Sequence, residues 1–417
     1  MEPVFENTLR YTAPSHGDWG IVRIASLVPE SFTIFICPFA CGRHGALGAI
    51  GQGFKHRLAY IYITQKDIIE GYDQTLIQGV DEILGRLAQT PKAVMVYVSC
   101  LDDLIGTDLD ALMDELHEKH PQTAFRAGHM NPITMESAAP PPVTTQDAMF
   151  SFLEISDKKT GNINLIGNLE NIEPKNELFR AVREAGRSGL CHMSDFESFE
   201  GFQKMAQSSH NLVMTPSGLL AAQNMQKKHG IPFLFLPASY NIGEIAEQYK
   251  QFFEFVGAQV PVNFLPEEEA GAIKEIRAAL RAVGERPIVI SASATVRPFS
   301  MAEALIIYGF DVAAVVAQEV LPIDRPAFER LFAVKPDIQV IQPEHPEVIR
   351  FENRMEEAIA IGFDAAYMTG SEHIVNLSAD MRMFGYRGVR QLMRMIKEAC
   401  GQVSDLKKLI EEYGVVI

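Results

Sequence analysis

The chain has 417 residues, 47% hydrophobic and 22% charged, which is material for two or three cores rather than one. Its formal charge of -16 repels phosphate backbones and anionic lipid, which argues against broad nucleic-acid or membrane-surface binding. No apolar run reaches the roughly 20 residues of a membrane span, Met1–Asn7 lacks a secretory pattern, and five cysteines suit free thiols or metal ligands better than disulfides; a cytoplasmic protein is expected.

Short apolar runs alternate with stretches of helical period almost from end to end, the pattern of parallel sheets covered by helices, so the fold class is α/β. Strands are predicted at Phe32–Ile36, Leu58–Thr64 and Ala93–Val98, with helices at Tyr72–Leu87 and Asp108–Lys119. Pro140, Pro141 and Pro142 make Ala138–Val143 a stiff surface connection. A second unit begins with a strand at Asn162–Gly167. It continues through helix Asn176–Ala185, strand Asn211–Met214, helix Ser217–Lys228, strand Pro232–Pro237 and helices Ile242–Phe255 and Glu267–Val283. A third opens at Pro287–Ser291 and repeats the alternation through Val312–Val316, Asp337–Ile341 and Ala365–Met368. Its helix Tyr386–Ala399 presents Val389, Leu392, Met393, Ile396 and Cys400 on one apolar face. The expected domains are 1–158, 159–284 and 285–417.

Two strands end directly in cysteine. Phe32-Thr33-Ile34-Phe35-Ile36-Cys37 runs into Pro38-Phe39-Ala40-Cys41-Gly42, and Val94-Met95-Val96-Tyr97-Val98-Ser99-Cys100 runs into a helix. Ligands of open parallel sheets bind beyond the carboxyl ends of the strands, so Cys37, Cys41 and Cys100 are placed to converge on one ligand. Thiolates are soft anionic donors suited to iron–sulfur clusters. By spacing alone, three small buried hydrophobes are the favoured reading.

The stretch Ser99-Cys100-Leu101-Asp102-Asp103-Leu104-Ile105-Gly106-Thr107-Asp108 resembles the cluster-cysteine turn of nitrogenase component 1 subunits. Ile163-Asn164-Leu165-Ile166-Gly167, Lys228-His229-Gly230-Ile231-Pro232 and Gly385-Tyr386-Arg387-Gly388 resemble further landmarks of that family, in its order and over most of the chain. The resemblance implies three Rossmann-like domains. It also implies an iron–sulfur cluster at a subunit interface, either the eight-iron, seven-sulfide P-cluster type or a four-iron, four-sulfide cluster, with Cys41 and Cys100 matching family ligands. Where the family has an earlier cysteine this chain offers Ser15, His16 and Asp18, so either an oxygen or nitrogen ligand replaces it or Cys37 takes that role. Leu212-Val213-Met214-Thr215-Pro216 stands where the α-type subunit has its cofactor-anchoring cysteine, which makes the chain more similar to the β-type.

The activity so implied is that of an oxidoreductase subunit. It would take electrons from an ATP-hydrolysing iron protein and relay them to a cofactor or substrate, with carbon–sulfur bond reduction or tetrapyrrole reduction among the chemistries of relatives. Its partner would be a second component 1 type subunit, different or identical. The competing class is a scaffold for iron–sulfur cofactor assembly, and a third is a cluster-free nucleotide enzyme. Gly45–Gly53 has the glycines of a phosphate loop without its Gly-Lys-Ser/Thr ending. Arg43 and His44 could tune a cluster or simply form a solvated turn. Cys191, before His192, is read as a loop thiol, His373 as a loop histidine and Cys400 as core.

Overall fold

The computed structural model describes residues 4–9, 27–39, 41–42, 46, 49–50, 53–130, 139–350, 354–380 and 382–413. The expectations placed on Ser15, His16, Asp18, Arg43, His44, Ala138 and most of Gly45–Gly53 lie outside them. The strands form three wholly parallel sheets flanked by helices. The first holds β1 (Ser31–Cys37), β2 (Leu58–Tyr62), β3 (Ala93–Ser99) and β4 (Ala124–Met130) in the order β2-β1-β3-β4. The second holds β5 (Asn162–Ile166), β6 (Gly189–Cys191), β7 (His210–Val213) and β8 (Phe233–Phe235) in the order β6-β5-β7-β8. The third holds β9 (Ile288–Ser291), β10 (Val312–Val316), β11 (Gln339–Ile341), β12 (Ile359–Ile361) and β13 (His373–Val375) in the order β11-β10-β9-β12-β13.

The chain divides into two compact units. One comprises Gly17–Asn171 and Arg187–Pro237 and carries the first and second sheets; the other comprises Met1–His16, Ile172–Gly186 and Ala238–Ile417 and carries the third. Among the described residues no helix is long and apolar enough to cross a membrane.

In the first unit β1 and β3 are buried along their whole length, as parallel strands covered on both faces must be. Alternation sends Ile34, Ile36, Val94, Val96 and Val98 to one face, against Leu76, Val80 and Leu116 of the helices Asp73–Arg86 and Leu109–Lys119. Phe35, Cys37, Met95 and Tyr97 go to the other, into a core shared with Met149, Phe150, Ile166 and Val213. Each such large side chain contributes about 1.5–3 kcal/mol by leaving water.

The proline run is not a connection. Pro140 caps and Pro141 opens the helix Pro141–Ser151, because the first turn has no intrahelical use for the N–H groups that proline lacks. The carbonyls at its other end are met by cations: Ser151 O accepts from Arg126 Nη2 at 3.1 Å and Lys228 Nζ at 3.3 Å, and Leu153 O from Lys228 Nζ at 2.7 Å.

In the second unit Ala365–Met368 is helical, within Phe363–Thr369, and the strands lie on either side of it, at β12 and β13. Gly362, at φ 92°, breaks the apolar run and turns strand into helix. The helix expected from Glu267 begins one turn earlier, at Phe264.

The start of the helix Gly385–Gly401 is capped by a carboxylate from far away in sequence. Buried Glu177 accepts from Tyr386 N at 2.6 Å, Arg387 N at 3.0 Å and the Tyr249 hydroxyl at 2.9 Å. Burial pushes its carboxyl above the usual range, against the opposing pull of Arg390. Gly385 has φ 58°, and a Cβ there would collide with Glu177 Oε1. Glu177→Ala should therefore orphan two backbone donors and destabilise the chain by about 2–4 kcal/mol, read as a lower urea midpoint at unchanged m-value. An unchanged midpoint would show that solvent caps this helix equally well.

Candidate functional site

Three cysteines stand at the carboxyl edge of the first sheet. Cys37 is the last residue of β1 and is fully buried. Pro38 ends the strand, and its carbonyl receives Cys41 N at 3.0 Å and Gly42 N at 3.3 Å, so one helical turn brings Cys41 back over the strand end. Cys100 follows the last residue of β3, and Cys41 and Cys100 are both half-buried. After Cys100 the Leu101 carbonyl accepts from Leu104 N and Ile105 N, both at 3.0 Å, and the short helix Asp102–Ile105 closes on Gly106 at φ 72°. Buried Asp102 accepts the Tyr72 hydroxyl, which ties this turn to the helix Asp73–Arg86.

The thiols feel one another. Burial, then the charge of Cys41, pushes Cys37 up to about 12; burial, then the charge of Cys100, pushes Cys41 upward. Without a cation nearby Cys37 and Cys41 stay protonated, and a positively charged iron centre is what would allow them to ionise. The donor set therefore suits iron–sulfur chemistry. Among the described residues no three His, Cys, Asp or Glu side chains are grouped closely enough to hold a metal ion as they stand.

A row of aromatic rings crosses the strands that carry this edge. Phe35 pairs in register with Tyr60 on β2 and Tyr97 on β3, and the rings stack at 5.5 and 5.2 Å between centroids. Tyr60 stacks on Tyr62 at 5.9 Å, and Tyr62 lies beside Phe39 at 5.1 Å. The Tyr60 hydroxyl is buried and has no hydrogen-bond partner among the described residues, and the buried Tyr97 hydroxyl interacts with Thr145. Phe39 is 73% exposed and Leu104 83%, an apolar rim around the cysteine edge.

The other sequence candidates are structural. Cys191 is no loop thiol: it closes β6 and is pushed up to about 11 by burial and then by Asp195. His192 is buried, its Nδ1 accepting from Ser194 N at 3.2 Å and its Nε2 lying 3.1 Å from Asn168 O, so it caps a turn rather than joining Cys191 on a metal. His373 starts β13, with Nδ1 2.8 Å from Ala399 O. Cys400 is half-buried near the end of the helix Gly385–Gly401. Where the α-type cysteine would stand, Met214 is buried and Thr215 donates to Gly167 O at 2.9 Å.

One polar cluster escaped the sequence reading. In the third sheet the chain goes from β9 out to β10 and β11, then returns to place β12 on the other side of β9, which makes the carboxyl ends of β9 and β12 the topological switch point. Ser291, Ser293 and Gly362 lie there, and an added Cβ on Gly362 would come within 2.9 Å of Ser291 Oγ. Beside them Asp380 accepts the Tyr240 hydroxyl at 2.6 Å, the Thr295 hydroxyl at 2.5 Å and Val296 N at 3.2 Å. Ala379, Asp380 and Arg382 all have positive φ, so the aspartate clamps a strained loop against the turn after β9. Its only signal in sequence is the small hydroxylic run Ser291-Ala292-Ser293-Ala294-Thr295.

The nitrogenase component 1 type oxidoreductase model matches residues 19–400. The chain belongs to that family. Three curated relatives carry the name nitrogenase iron-molybdenum cofactor biosynthesis protein NifE. That of Clostridium pasteurianum is 22% identical over 51% of this chain and 47% of its own length. That of Bradyrhizobium diazoefficiens is 24% identical over 53% and 41%, and that of Rippkaea orientalis 22% identical over 81% and 73%. The chain thus spans less than half the length of the first two. Among solved structures it is similar in fold to nitrogenase Cp1 at pH 6.5, with a TM-score of 0.71, 16% identity and coverage of 96% of this chain and 95% of that one. Nitrogenase Cp1 at pH 5 gives a TM-score of 0.62 at 14% identity, over 94% and 88%.

Burial pushes the Asp380 carboxyl from 3.8 up to about 6. A raised carboxyl binds its proton more tightly folded than unfolded, so its contribution to stability is present below about pH 4 and is lost as pH rises through 6. The free-energy difference between wild type and Asp380→Asn should change by about 3 kcal/mol between pH 4 and pH 7 in denaturant titrations. A difference that does not vary with pH would contradict this.

Proposed function

We propose that the chain is one subunit of a scaffold on which a complex iron–sulfur cofactor is assembled and from which it is passed on. The observation that carries this reading is the pairing of a thiol set, Cys37, Cys41 and Cys100, with the lack of a cysteine at Met214–Thr215, where a resident cofactor would be anchored. The naming of the three curated relatives for cofactor biosynthesis supports it. A cluster held by the three thiols, of the four-iron or eight-iron type, supplies one-electron storage and sulfide-bridged iron. The chain's own part is to bring three soft donors to one edge and to keep water from Cys37. The exposed Phe39 and Leu104 beside the cysteines suit burial against a paired component 1 type subunit.

A second reading draws on the family's designation and on the nitrogenase likeness over nearly the whole chain. In it the same cluster relays electrons from an ATP-hydrolysing iron protein to a cofactor or substrate, such as a carbon–sulfur bond or a tetrapyrrole. The closeness to the β-type subunit belongs to this reading.

Iron and acid-labile sulfide per chain, measured on anaerobically purified protein co-expressed with its paired subunit, should be stoichiometric and should largely vanish in Cys100→Ala. On the scaffold reading, incubation with an apo-acceptor moves iron off the complex. ATP- and iron-protein-dependent turnover with iron retained would instead favour the relay, and iron-free protein would end both readings.

A further inference from the structure

We infer that the Tyr60 hydroxyl is a hydrogen-bond donor to the sulfur of the iron–sulfur group that the three thiols hold. The inference rests on the proposed cluster and concerns a residue outside its cysteines. Three observations place Tyr60 at the site. Among the described residues its buried oxygen has no hydrogen-bond partner, although buried hydroxyls ordinarily find one. Its ring lies directly under the turn that carries Cys41, since a Cβ on Gly42 would come within 2.9 Å of Tyr60 Cδ1. Its hydroxyl is also within electrostatic reach of Cys37, the residue two beyond its register partner Phe35.

The phenol is thus enclosed by the strand end of one cysteine and the turn of another, and it lacks an acceptor. A ring of the same size without the oxygen is tolerated in the neighbouring position of the same row, at Phe35, so packing alone does not call for the hydroxyl. Thiolate and sulfide sulfur accept hydrogen bonds, and a donor beside them stabilises the more negative, reduced state of a cluster. Tyr60 is in these terms a positioning and tuning residue. The chemistry of the thiols does not require it, but the potential at which the group accepts an electron does.

Tyr97 provides the internal control. It stacks on the opposite face of Phe35, and its hydroxyl interacts with Thr145 rather than with a cysteine. The experiment compares wild type, Tyr60→Phe and Tyr97→Phe, each purified anaerobically with the paired subunit, by iron and sulfide content, by EPR-monitored redox titration and by thermal unfolding of the iron-free forms. The expected result has three parts. Both variants keep wild-type iron, iron-free Tyr60→Phe unfolds at or above the wild-type temperature because a buried unpaired hydroxyl has been removed, and only Tyr60→Phe shifts the cluster potential downward. A fully loaded Tyr60→Phe protein with the wild-type potential overturns the hydrogen bond and leaves the iron site standing. A phenolate-to-iron charge-transfer band that Tyr60→Phe abolishes also overturns it, by making Tyr60 a ligand. Iron-free wild type overturns the site and the hydrogen bond together.

Discussion

A parallel strand buried on both faces is the constraint from which the rest of this structure follows. Such a sheet buries every residue of β1 and β3, and apart from the small hydroxyls of Ser31, Thr33 and Ser99 it fills them mainly with apolar and aromatic side chains, which leaves little room for polar chemistry between the strand ends. It also points every strand in the same direction. Chemistry is thereby confined to the carboxyl edge, where the chain leaves the sheet and can carry different residues. Cys37 and Cys100 stand at that edge because Pro38 ends one strand and the Leu101–Gly106 turn follows the other. In the third sheet the same rule gathers Ser291, Thr295 and Gly362 where β9 and β12 part company.

Buried polar groups are treated in two ways, each seen in both units. In the unit with the third sheet, Glu177 and Asp380 are each satisfied by several donors, and each joins segments distant in sequence. Leaving such groups unpaired is costly, so the segments they join are held in one arrangement. In the unit with the cysteines the buried Tyr60 hydroxyl has no hydrogen-bond partner among the described residues, and burial and a neighbouring thiol push Cys37 and Cys41 upward. A core that tolerates such groups is less stable than it could be. Satisfied networks mark places built for structure, and unsatisfied groups beside reactive ones mark a place built to receive something.

How much was legible varied with length and period. Ile242–Phe255 and Val312–Val316 were readable to the residue, one from a repeating apolar face and the other from a short β-branched run. The run Ala358-Ile359-Ala360-Ile361-Gly362-Phe363-Asp364-Ala365-Ala366 was not, because continuous apolar residues fit a buried strand and a buried helix equally. Its division depended on the backbone at Gly362. Short strands such as β6, β12 and β13 carry too few residues to show a period, which is why Cys191 and His373 looked like loop residues. The edge strand β4, with Arg126 and His129 among its residues, lacks the apolar run that reveals its neighbours.

The sequence by itself determined the α/β class, the parallel character of the sheets and the placement of cysteines at two strand ends. Hydrophobic period and strand-terminal residues are local properties that survive in one dimension. Only the tertiary structure decided that the Cys41 turn folds back over β1, that Tyr60 lies beneath it, and that Glu177 caps a helix more than two hundred residues away. Those facts depend on strand register and on contacts between distant segments, and the same tyrosine or glutamate has no distinguishing neighbours until the chain has folded around it.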